Sequence, residues 1–509
     1  MTRNTAKHQP SGGSNPPVHR TSTAAEPVSA WRPAFVTGCL LLLALLAGAV
    51  LSFHTLYEPD LGWHLSQGRE VAAGRMVRTN LFSSTHPNYP QPFQSWLFEL
   101  GAYGIWNLAG ATGIQAGQAL AIALTLAFVY AACRKRVSMS AALAIAVFGV
   151  FVIEPRAVPR PHVVSFALGA GCAFLVERAR ALRSPLALAW TIPLIAVWSN
   201  VHAESFFGAA LVGLFAASEF LRPGVFTRRQ AWTALGVAAA CTAANAANPF
   251  GLGLFRYIFE GARAPEFVQI AELRPAYLPT YAPFFVYLAC GIALMLWKRR
   301  SVALWEVLVF GAFAILGLRH VRFVALFLCV TAPIVAARLA EVFGRIKPVI
   351  PFCAALCAGL LLSPVPFSAR VGQLGIGEEH LEPPAFFSRE AISFIRANGL
   401  KGPVFNSNNL GGYLIWNTYP DGVRVFQDGR FQSYPPEHFA RIIEAFQSQS
   451  EWDKLVADVD WAVLSMQRSS PLSGAGRFPA AQWAPVYRDP AVMILVRRTG
   501  RFGALAGGR

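Results

Sequence analysis

The segment best suited to chemistry in this sequence is "LYEPDLGWHLSQGRE", residues 56–70, which follows an apolar run almost without a break. It places the carboxylates of Glu58 and Asp60 where a predicted membrane helix ends, and Trp63 and His64 follow at once. Ionisable side chains near lipid are costly unless they face water or line a site. A carboxylate in such a site can accept the proton of a hydroxyl group.

The Pro between the two acids bears on their geometry. Pro59 fixes its own φ and biases Glu58 toward an extended conformation, and residues two apart in an extended segment point the same way. We therefore expect both carboxylates to face one pocket. Low dielectric raises the pKa of a carboxyl group and facing arginines lower it. We expect the arginines to dominate, so that Asp60 is ionised near neutral pH.

Composition identifies the class of protein. The chain is 54% hydrophobic and only 14% charged, whereas soluble domains carry roughly 25% charged residues. The formal net charge of +17 is spread over short basic clusters between apolar runs, which is the pattern of membrane loops and not of a nucleic-acid-binding surface. All eight cysteines lie in apolar segments, which argues against a disulfide framework or a zinc site.

Apolar runs predict a polytopic α-helical membrane protein with about eleven transmembrane helices. Residues 1–33 are predicted to be a disordered cytoplasmic tail, and 34–56 an uncleaved first helix, since this run is long enough to span a bilayer. The other runs are 96–132, which has room for a lead-in helix, 138–153, 163–177, 186–200, 205–221, 231–247, 281–297, 302–318, 323–340 and 348–364. The predicted parts are a membrane domain, 34–364, with a first outward loop, 57–95, and a soluble α/β domain, 365–509.

The linkers between the runs alternate in character. Nineteen basic residues fall in the tail and in every second linker, and the positive-inside rule assigns that side to the cytoplasm. An odd number of spans then places the C-terminal domain outside, in the periplasm or extracellular space. We therefore expect a multi-pass protein of the inner (plasma) membrane.

The outward linkers share a different chemistry. Besides the first loop they are "EPRAVPRPH" (154–162), "WSNVHAES" (198–205), the segment 248–277 and "GLRHVRF" (317–323), and they contain arginine but no lysine. Guanidinium is a planar fork that grips phosphate with two hydrogen bonds and tolerates partial burial. Together these loops are expected to build a cationic, polar pocket around Glu58 and Asp60.

An acidic pair in the first outward loop, directly after the first helix, resembles the hallmark of the GT-C glycosyltransferases. These multi-span enzymes use sugars linked to a polyprenyl phosphate. The stretch from "EPDLGWH" to "FQSWLFEL" (58–100) also resembles the opening of an uncharacterised bacterial branch of that superfamily. The resemblance implies a glycosyltransferase, of the hexosyl or pentosyl type, that acts at the outer face of the membrane. It leaves dependence on a divalent metal ion open and names no other cofactor.

The resemblance also implies roles for individual residues. Asp60 is the expected catalytic base, and Glu58 assists it. The candidates for binding the donor phosphate are Arg156, Arg160, His162, His202, Glu204, Arg319, His320 and Arg322. The expected partners are a polyprenyl-phosphate-linked sugar donor, membrane lipid, and a glycan, lipid or protein acceptor, and they do not include nucleic acid.

The C-terminal region reads as an α/β domain. Predicted elements are a helix ending at Gly399, strands at "KGPVFNS" and "VRVFQDGR", two helices in 437–457, a strand at "VDWAVLSM" and a final strand pair. "NNLGGYLIW" (408–416) is predicted to be a turn that leads into a strand. The candidates for acceptor binding are His64 and Trp63 of the first loop and Tyr413, Trp416, Asp428 and Arg430 of this domain.

Three other functions are open at this stage. A transporter or flippase for lipid-linked saccharides would tend to show repeated halves and broken helices at mid-membrane. An enzyme like the O-antigen ligases and polymerases would also depend on outward Arg and His, usually in one large late loop. A non-catalytic scaffold would tolerate substitution of Asp60 and Arg160. The acid in the first loop favours the GT-C interpretation.

Overall fold

The computed structural model describes residues 31–53, 58–91, 94–256, 271–343, 349–364, 374–381, 384, 386–467 and 475–507. The chain divides into two compact units, Met1–Leu42 and Leu43–Arg509. The predicted tail lies outside the described residues except for 31–33, which already belong to the first helix.

Each predicted apolar run coincides with a helix. The membrane-type region and first outward loop contain helices α1 (Trp31–Ser52), α2 (Leu61–Ala72), α3 (Trp96–Arg134), α4 (Met139–Ile153), α5 (Pro161–Leu182), α6 (Thr191–Val201), α7 (Ser205–Leu221) and α8 (Arg228–Ala244), then the helices Ala282–Trp297, Leu304–Arg319, Val324–Phe343 and Val349–Leu362. Gly110, with φ 57°, breaks the helical geometry of α3, so the run 96–132 contains two helical parts, as a lead-in helix followed by a span would require.

Length and composition decide which of these helices can cross a membrane. Among the described residues three qualify: Trp96–Arg134, Pro161–Leu182 and Val321–Glu341. Shorter apolar helices include Ser205–Leu221 and Ala282–Trp297. About 20 helical residues are needed to cross the roughly 30 Å of hydrocarbon without tilt or thinning. The protein is therefore a helical membrane protein, and the count of eleven spans is not confirmed.

Basic residues of the predicted inner linkers form a separate ion-pair cluster. Arg136 pairs with Glu306 and with Glu177, and Arg338 bridges Glu306 and Glu341. None of these residues belongs to a predicted outward loop. The two sets of linkers that the sequence distinguishes by composition thus make their contacts within their own set.

The C-terminal region folds as the predicted α/β domain. Its five-stranded sheet has the order β2-β1-β3-β5-β4, with strands β1 (Gly402–Asn406), β2 (Val423–Val425), β3 (Trp461–Ser465), β4 (Trp483–Arg488) and β5 (Val492–Arg497). Strand β1 pairs in parallel with β2 and β3, while β5 runs antiparallel to β3 and β4. The described part of the domain contains the helices Glu378–Leu381, Arg389–Ala397, Gly411–Thr418, Glu437–Ala445 and Gln449–Leu455.

One predicted element of this domain is wrong. The segment 408–416 is not a turn and strand: a 3-10 turn, Asn408–Leu410, leads into the helix Gly411–Thr418. Residues 410–415 are all buried, and periodicity cannot distinguish a strand from a helix in a short apolar run. The helix fits because Gly411 and Gly412 leave no side chain between it and its neighbours.

The first outward loop is built into the C-terminal domain. Trp63 and Phe82 of the loop belong to the same buried cluster as the strands β1, β3 and β5. Ser83 forms a parallel bridge with Val425, at the edge of the sheet. The amide of Asn80 donates to the carbonyl of Ser433 at 2.8 Å. The loop therefore serves both as a link from the first helix and as part of the α/β core.

Candidate functional site

Glu58 and Asp60 lie in a turn that starts helix α2. Asp60 precedes the first helical residue, Leu61, and has near-helical dihedrals, φ −92° and ψ −15°. The backbone N–H of Asp60 donates to the Glu58 carboxylate at 3.0 Å. The expectation of an extended segment was therefore wrong for Asp60. The two carboxylates still converge, because a third side chain holds both.

That side chain is Arg160, at the start of α5. Its Nη2 lies 2.7 Å from the Glu58 carboxylate and 3.0 Å from the Asp60 carboxylate, while its Nη1 lies 2.6 Å from Glu272. The Arg160 side chain is only 22% exposed and Glu58 2%. Both arms of the guanidinium fork are thus used, and three carboxylates from two outward loops surround one cation.

Glu272 is the functional candidate that sequence reasoning missed. It lies in a short 3-10 turn, Ala271–Leu273, and pairs with Arg156 at 3.0 Å as well as with Arg160. A signal was present, since the loop 248–277 holds glutamates among its arginines. The glutamates at positions 260 and 266 lie outside the described residues. Only the fold shows which glutamate of this loop reaches the arginines.

A second cluster adjoins the first and joins three further elements. Arg322 donates to Glu204 at 3.0 Å, and its Nη2 lies 2.7 Å from Nε2 of His202. The other ring nitrogen of His202, Nδ1, lies 2.9 Å from the hydroxyl of Ser165 on α5. All five segments that were predicted to face outward therefore meet at one end of the helices, as their shared composition indicated.

The remaining candidates for phosphate binding are placed differently. His162 contacts the backbone carbonyl of Arg156 at 2.9 Å, and His320 contacts that of Leu273 at 2.7 Å. These two rings fix loop backbones. Arg319 is exposed at the end of its helix.

Among the described residues, the ion-paired groups of the pocket show no excess of positive charge, contrary to prediction. Glu58, Asp60, Glu204 and Glu272 provide four carboxylates, whereas Arg156, Arg160 and Arg322 provide three guanidinium groups. The sequence could not show that Glu58, Asp60, Glu204 and Glu272 all pair with these arginines.

Burial and ion pairing act in opposite directions on these acids. Burial raises the pKa of Asp60 and of Glu58 above the usual range, and the nearby guanidinium of Arg160 offsets only part of the rise. The expectation that the arginines dominate at Asp60 was therefore wrong. For Glu204 burial also raises the pKa, but His202 and Arg322 together lower it to about 2. A carboxylate with a raised pKa is a stronger base, so Asp60 and Glu58 suit proton transfer better than Glu204 does.

The candidates for acceptor binding in the first loop are buried. The ring of His64 lies 3.3 Å from Glu99, through Nδ1, and packs against Trp63 with ring centroids 3.5 Å apart. Both rings are less than a tenth exposed. His64 contacts α3 and Trp63 packs into the core of the α/β domain. The structure therefore does not place either ring on an open surface.

The candidates in the C-terminal domain are also packing residues. Asp428 and Arg430 form a buried pair, 2.6 Å apart and at most 1% exposed. Tyr413 is buried against Phe387. Trp416 is partly exposed and lies over the guanidinium of Arg69 at 5.1 Å. An acceptor rim made of these side chains is not formed.

The C-terminal domain also borders an open groove. Its volume is about 610 Å³, and it runs between the first outward loop and the C-terminal domain. Hydroxyl, ring and charged side chains line it, among them Ser84, Thr85, His86, Phe426, His438, Arg441 and Lys454. His438 is 4% exposed, and its Nε2 has no hydrogen-bond partner among the described residues.

The donor set does not fit a metal ion. Within the described ranges no three His, Cys, Asp or Glu side chains are arranged to hold one. Glu58, Asp60 and Glu272 already share the guanidinium of Arg160, and a metal would have to displace that cation. We therefore derive no step through a metal.

Comparison with known proteins identifies the fold. No protein-family model matches the sequence, and no curated protein matches it. Solved structures do match. The apo oligosaccharyltransferase of Archaeoglobus fulgidus has a TM-score of 0.59 at 13% identity, over 86% of this chain and 70% of that one. ArnT from Cupriavidus metallidurans has a TM-score of 0.52 at 14% identity, over 94% of this chain and 100% of that one.

A third match is the arabinofuranosyltransferase AftD from mycobacteria. Its TM-score is 0.55 at 16% identity, over 91% of this chain and 40% of that one. These proteins are glycosyltransferases with the GT-C fold. At such low identity the likeness concerns the fold, and this chain has it.

Proposed function

We propose that this chain, which has the GT-C fold, is a membrane glycosyltransferase that moves a sugar from a polyprenyl-phosphate-linked donor to an acceptor at the outer face of the membrane. The single observation that carries the proposal is the cluster around Arg160. It joins Glu58 and Asp60, which follow the first helix, to Arg160 of the segment 154–162 and to Glu272 of the segment 248–277. One of the matched structures, the archaeal oligosaccharyltransferase AglB, was solved with an inhibitory peptide and a dolichol phosphate.

Asp60 is the proposed base. Its carboxylate, 14% exposed, takes the proton of the acceptor hydroxyl while the acceptor oxygen bonds to the anomeric carbon of the sugar. The bond from that carbon to the phosphate oxygen breaks, and its electron pair leaves with the polyprenyl phosphate. Burial supports this role, because it raises the pKa of Asp60 above its usual value and so makes the carboxylate a stronger base.

Arg160 positions the base in this proposal. It holds Asp60 and Glu58 through one nitrogen, which fixes the direction of both carboxylates. The leaving phosphate is assigned to Arg156 and Arg322. Each of these is held by a glutamate, at 3.0 Å in both cases. Positioned guanidinium groups stabilise charge that develops on a leaving phosphate.

The groove between the first loop and the C-terminal domain is the proposed entry for the acceptor. Phe426 lines it, and Gly429, three residues on, lies against Asp60. Three residues span at most about 11 Å, so the Cα atom of Phe426 lies no more than about 11 Å from that of Gly429, and the proposed path of the acceptor to Asp60 follows this stretch. Its mixture of hydroxyl, ring and paired charges suits a hydroxyl-rich ligand. This proposal replaces the acceptor rim predicted from Tyr413, Trp416, Asp428 and Arg430.

Lipid-linked-sugar profiling tests the function. Membranes with and without the protein are extracted, and their polyprenyl-phosphate sugars are compared by mass spectrometry. We expect one such sugar to accumulate in the deletion, and to return to the wild-type level with the intact gene but not with the Asp60→Asn variant. Unchanged lipid-linked sugars in the deletion, or full complementation by Asp60→Asn, would refute the proposal.

A further inference from the structure

We propose that the C-terminal domain positions the catalytic carboxylate of Asp60 through two glycines, Gly412 and Gly429. The inference rests on the proposed function, since it assigns these glycines to the reaction centre. It makes the α/β domain a structural part of that centre, in addition to lining the acceptor groove.

Gly429 lies directly against the side chain of Asp60. A Cβ atom added at Gly429 would come 2.1 Å from Oδ1 of Asp60 and 3.0 Å from its Cγ. Non-bonded carbon and oxygen atoms do not approach to 2.1 Å without severe repulsion. Asp60 therefore has one carboxylate oxygen against the backbone of the C-terminal domain and the other, Oδ2, on Arg160 at 3.0 Å.

Gly412 makes a matching contact with the backbone of the same segment. A Cβ atom there would come 2.1 Å from the carbonyl oxygen of Pro59. In return, a Cβ atom at Gly62 would come 2.2 Å from the carbonyl oxygen of Gly412. The start of α2 and the helix Gly411–Thr418 thus meet backbone to backbone. The turn that carries Asp60 is held on its main chain and on its side chain by one domain.

These glycines are required for space and not for an unusual backbone. Among the described residues, positive φ is found at other glycines, such as Gly399 and Gly422. A side chain at Gly412 would push the backbone of Pro59 away, and one at Gly429 would displace the carboxylate of Asp60. The effect of a substitution therefore reports on the contact with the Pro59–Asp60 turn.

The loop that carries Gly429 is itself rigidly held. Arg430 is buried and bonds to Asp428 on its own loop, to Gln91 and to Asn80, with the last two contacts at 2.8 Å. Asn80 and Gln91 belong to the first outward loop. Tyr434 adds a hydrogen bond to Asp428 at 2.7 Å. This buried network explains why "VFQDGR" contains an acid and a base that are not exposed to an acceptor.

The test is Gly429→Ala in the full-length protein in detergent, with Gly476→Ala as the matched control. Gly476 is in the same domain, and a Cβ atom there would meet nothing within 4 Å. We expect Gly429→Ala to lower the rate of sugar transfer more than tenfold and Gly476→Ala to change it less than twofold. The acid limb of the pH profile should also shift in Gly429→Ala and not in Gly476→Ala, because the burial of Asp60 and its contact with Arg160 both set its pKa.

A melting-temperature cycle with Asp60→Ala isolates the contact. Truncation at Asp60 removes the carboxylate with which the Cβ atom of Ala at position 429 would clash. The drop in melting temperature caused by Gly429→Ala should therefore be at least halved in the Asp60→Ala background. If Gly429→Ala alone does not fold, recovery of folded protein in the double variant supports the proposal equally.

Two results would overturn the positioning role. One is equal destabilisation by Gly429→Ala in both backgrounds, and the other is unchanged transfer by the folded single variant. The cycle needs no turnover, so it separates this inference from the proposed function. An active Asp60→Asn variant would refute the assignment of the base. The melting-temperature cycle would still show whether Gly429 contacts and positions the side chain of Asp60.

Discussion

Replacing Arg160 by Lys keeps the charge at the centre of the site and removes the fork. The guanidinium reaches Glu58 and Asp60 through Nη2, at 2.7 and 3.0 Å, and Glu272 through Nη1, at 2.6 Å. The ammonium of Lys lies one bond short of these nitrogens, roughly 1.3 Å back along the side chain. It provides one donor atom where the structure uses two.

The size of the effect follows from these contacts. A hydrogen bond to a charged group contributes about 1.5–3 kcal/mol. At about 1.36 kcal/mol for each factor of ten in rate, loss of one such bond that orients Asp60 corresponds to roughly a 10- to 150-fold fall in kcat/KM. Because the Arg160 side chain is 22% exposed, water can replace part of the lost bond, and we expect the lower half of that range.

The assay is transfer of a labelled sugar from polyprenyl phosphate by purified protein, with size-exclusion profiles as the check on folding. Arg222→Lys is the matched control, because Arg222 is exposed and lies in a predicted inner linker. It should leave the rate within twofold of wild type. A well-folded Arg160→Lys protein with wild-type activity would show that charge alone suffices, and the positioning argument would fail.

Four further predictions follow from the same contacts. Asp60→Asn removes the base and keeps the shape of the side chain, so the rate of transfer should fall by about 10²–10⁴-fold, while donor binding measured by equilibrium dialysis persists. A loss of rate below tenfold would contradict the assignment of Asp60 as the base. Glu58→Gln should lower the rate less than Asp60→Asn does. The rate should rise with pH along an acid limb whose midpoint lies above 3.8, since burial raises the pKa of Asp60, and a midpoint at or below that value would contradict the burial argument. Asp428→Asn leaves a buried arginine without its partner, which costs about 3–5 kcal/mol. Burial raises the pKa of Asp428, but Arg430 and Tyr434 lower it below its usual 3.8, so the ionised carboxylate stabilises the fold above pH 3.8. The difference in melting temperature between the wild type and Asp428→Asn should therefore become smaller as the pH falls below 3.8. Cysteine labelling tests the topology: on a cysteine-free background, Glu390→Cys should react in intact cells and Arg222→Cys only after permeabilisation, and the reverse order would invert the assignment of the loops.

The membrane class, the helix positions and the meeting of the outward loops could be read from the sequence. Each apolar run located by hydropathy coincides with a helix, because backbone hydrogen bonds must be satisfied within a segment that faces lipid. Arginine without lysine in alternate linkers separated two sets of loops, and their contacts in the structure remain within each set. The acidic pair of Glu58 and Asp60 was recognisable from its position after the first helix.

What only the tertiary structure decided is which charges face each other and which rings are covered. Glu272 joins Glu58 and Asp60 on Arg160 across more than a hundred residues of chain, a separation over which sequence spacing gives no distance. The helix Gly411–Thr418 packs with Gly412 against the backbone of Pro59, a contact between distant segments that local periodicity cannot encode. Asp428 and Arg430 carry the residue types of a binding site, but they are buried by the first outward loop. Residue type sets what a side chain can do chemically, and packing decides whether a ligand can reach it.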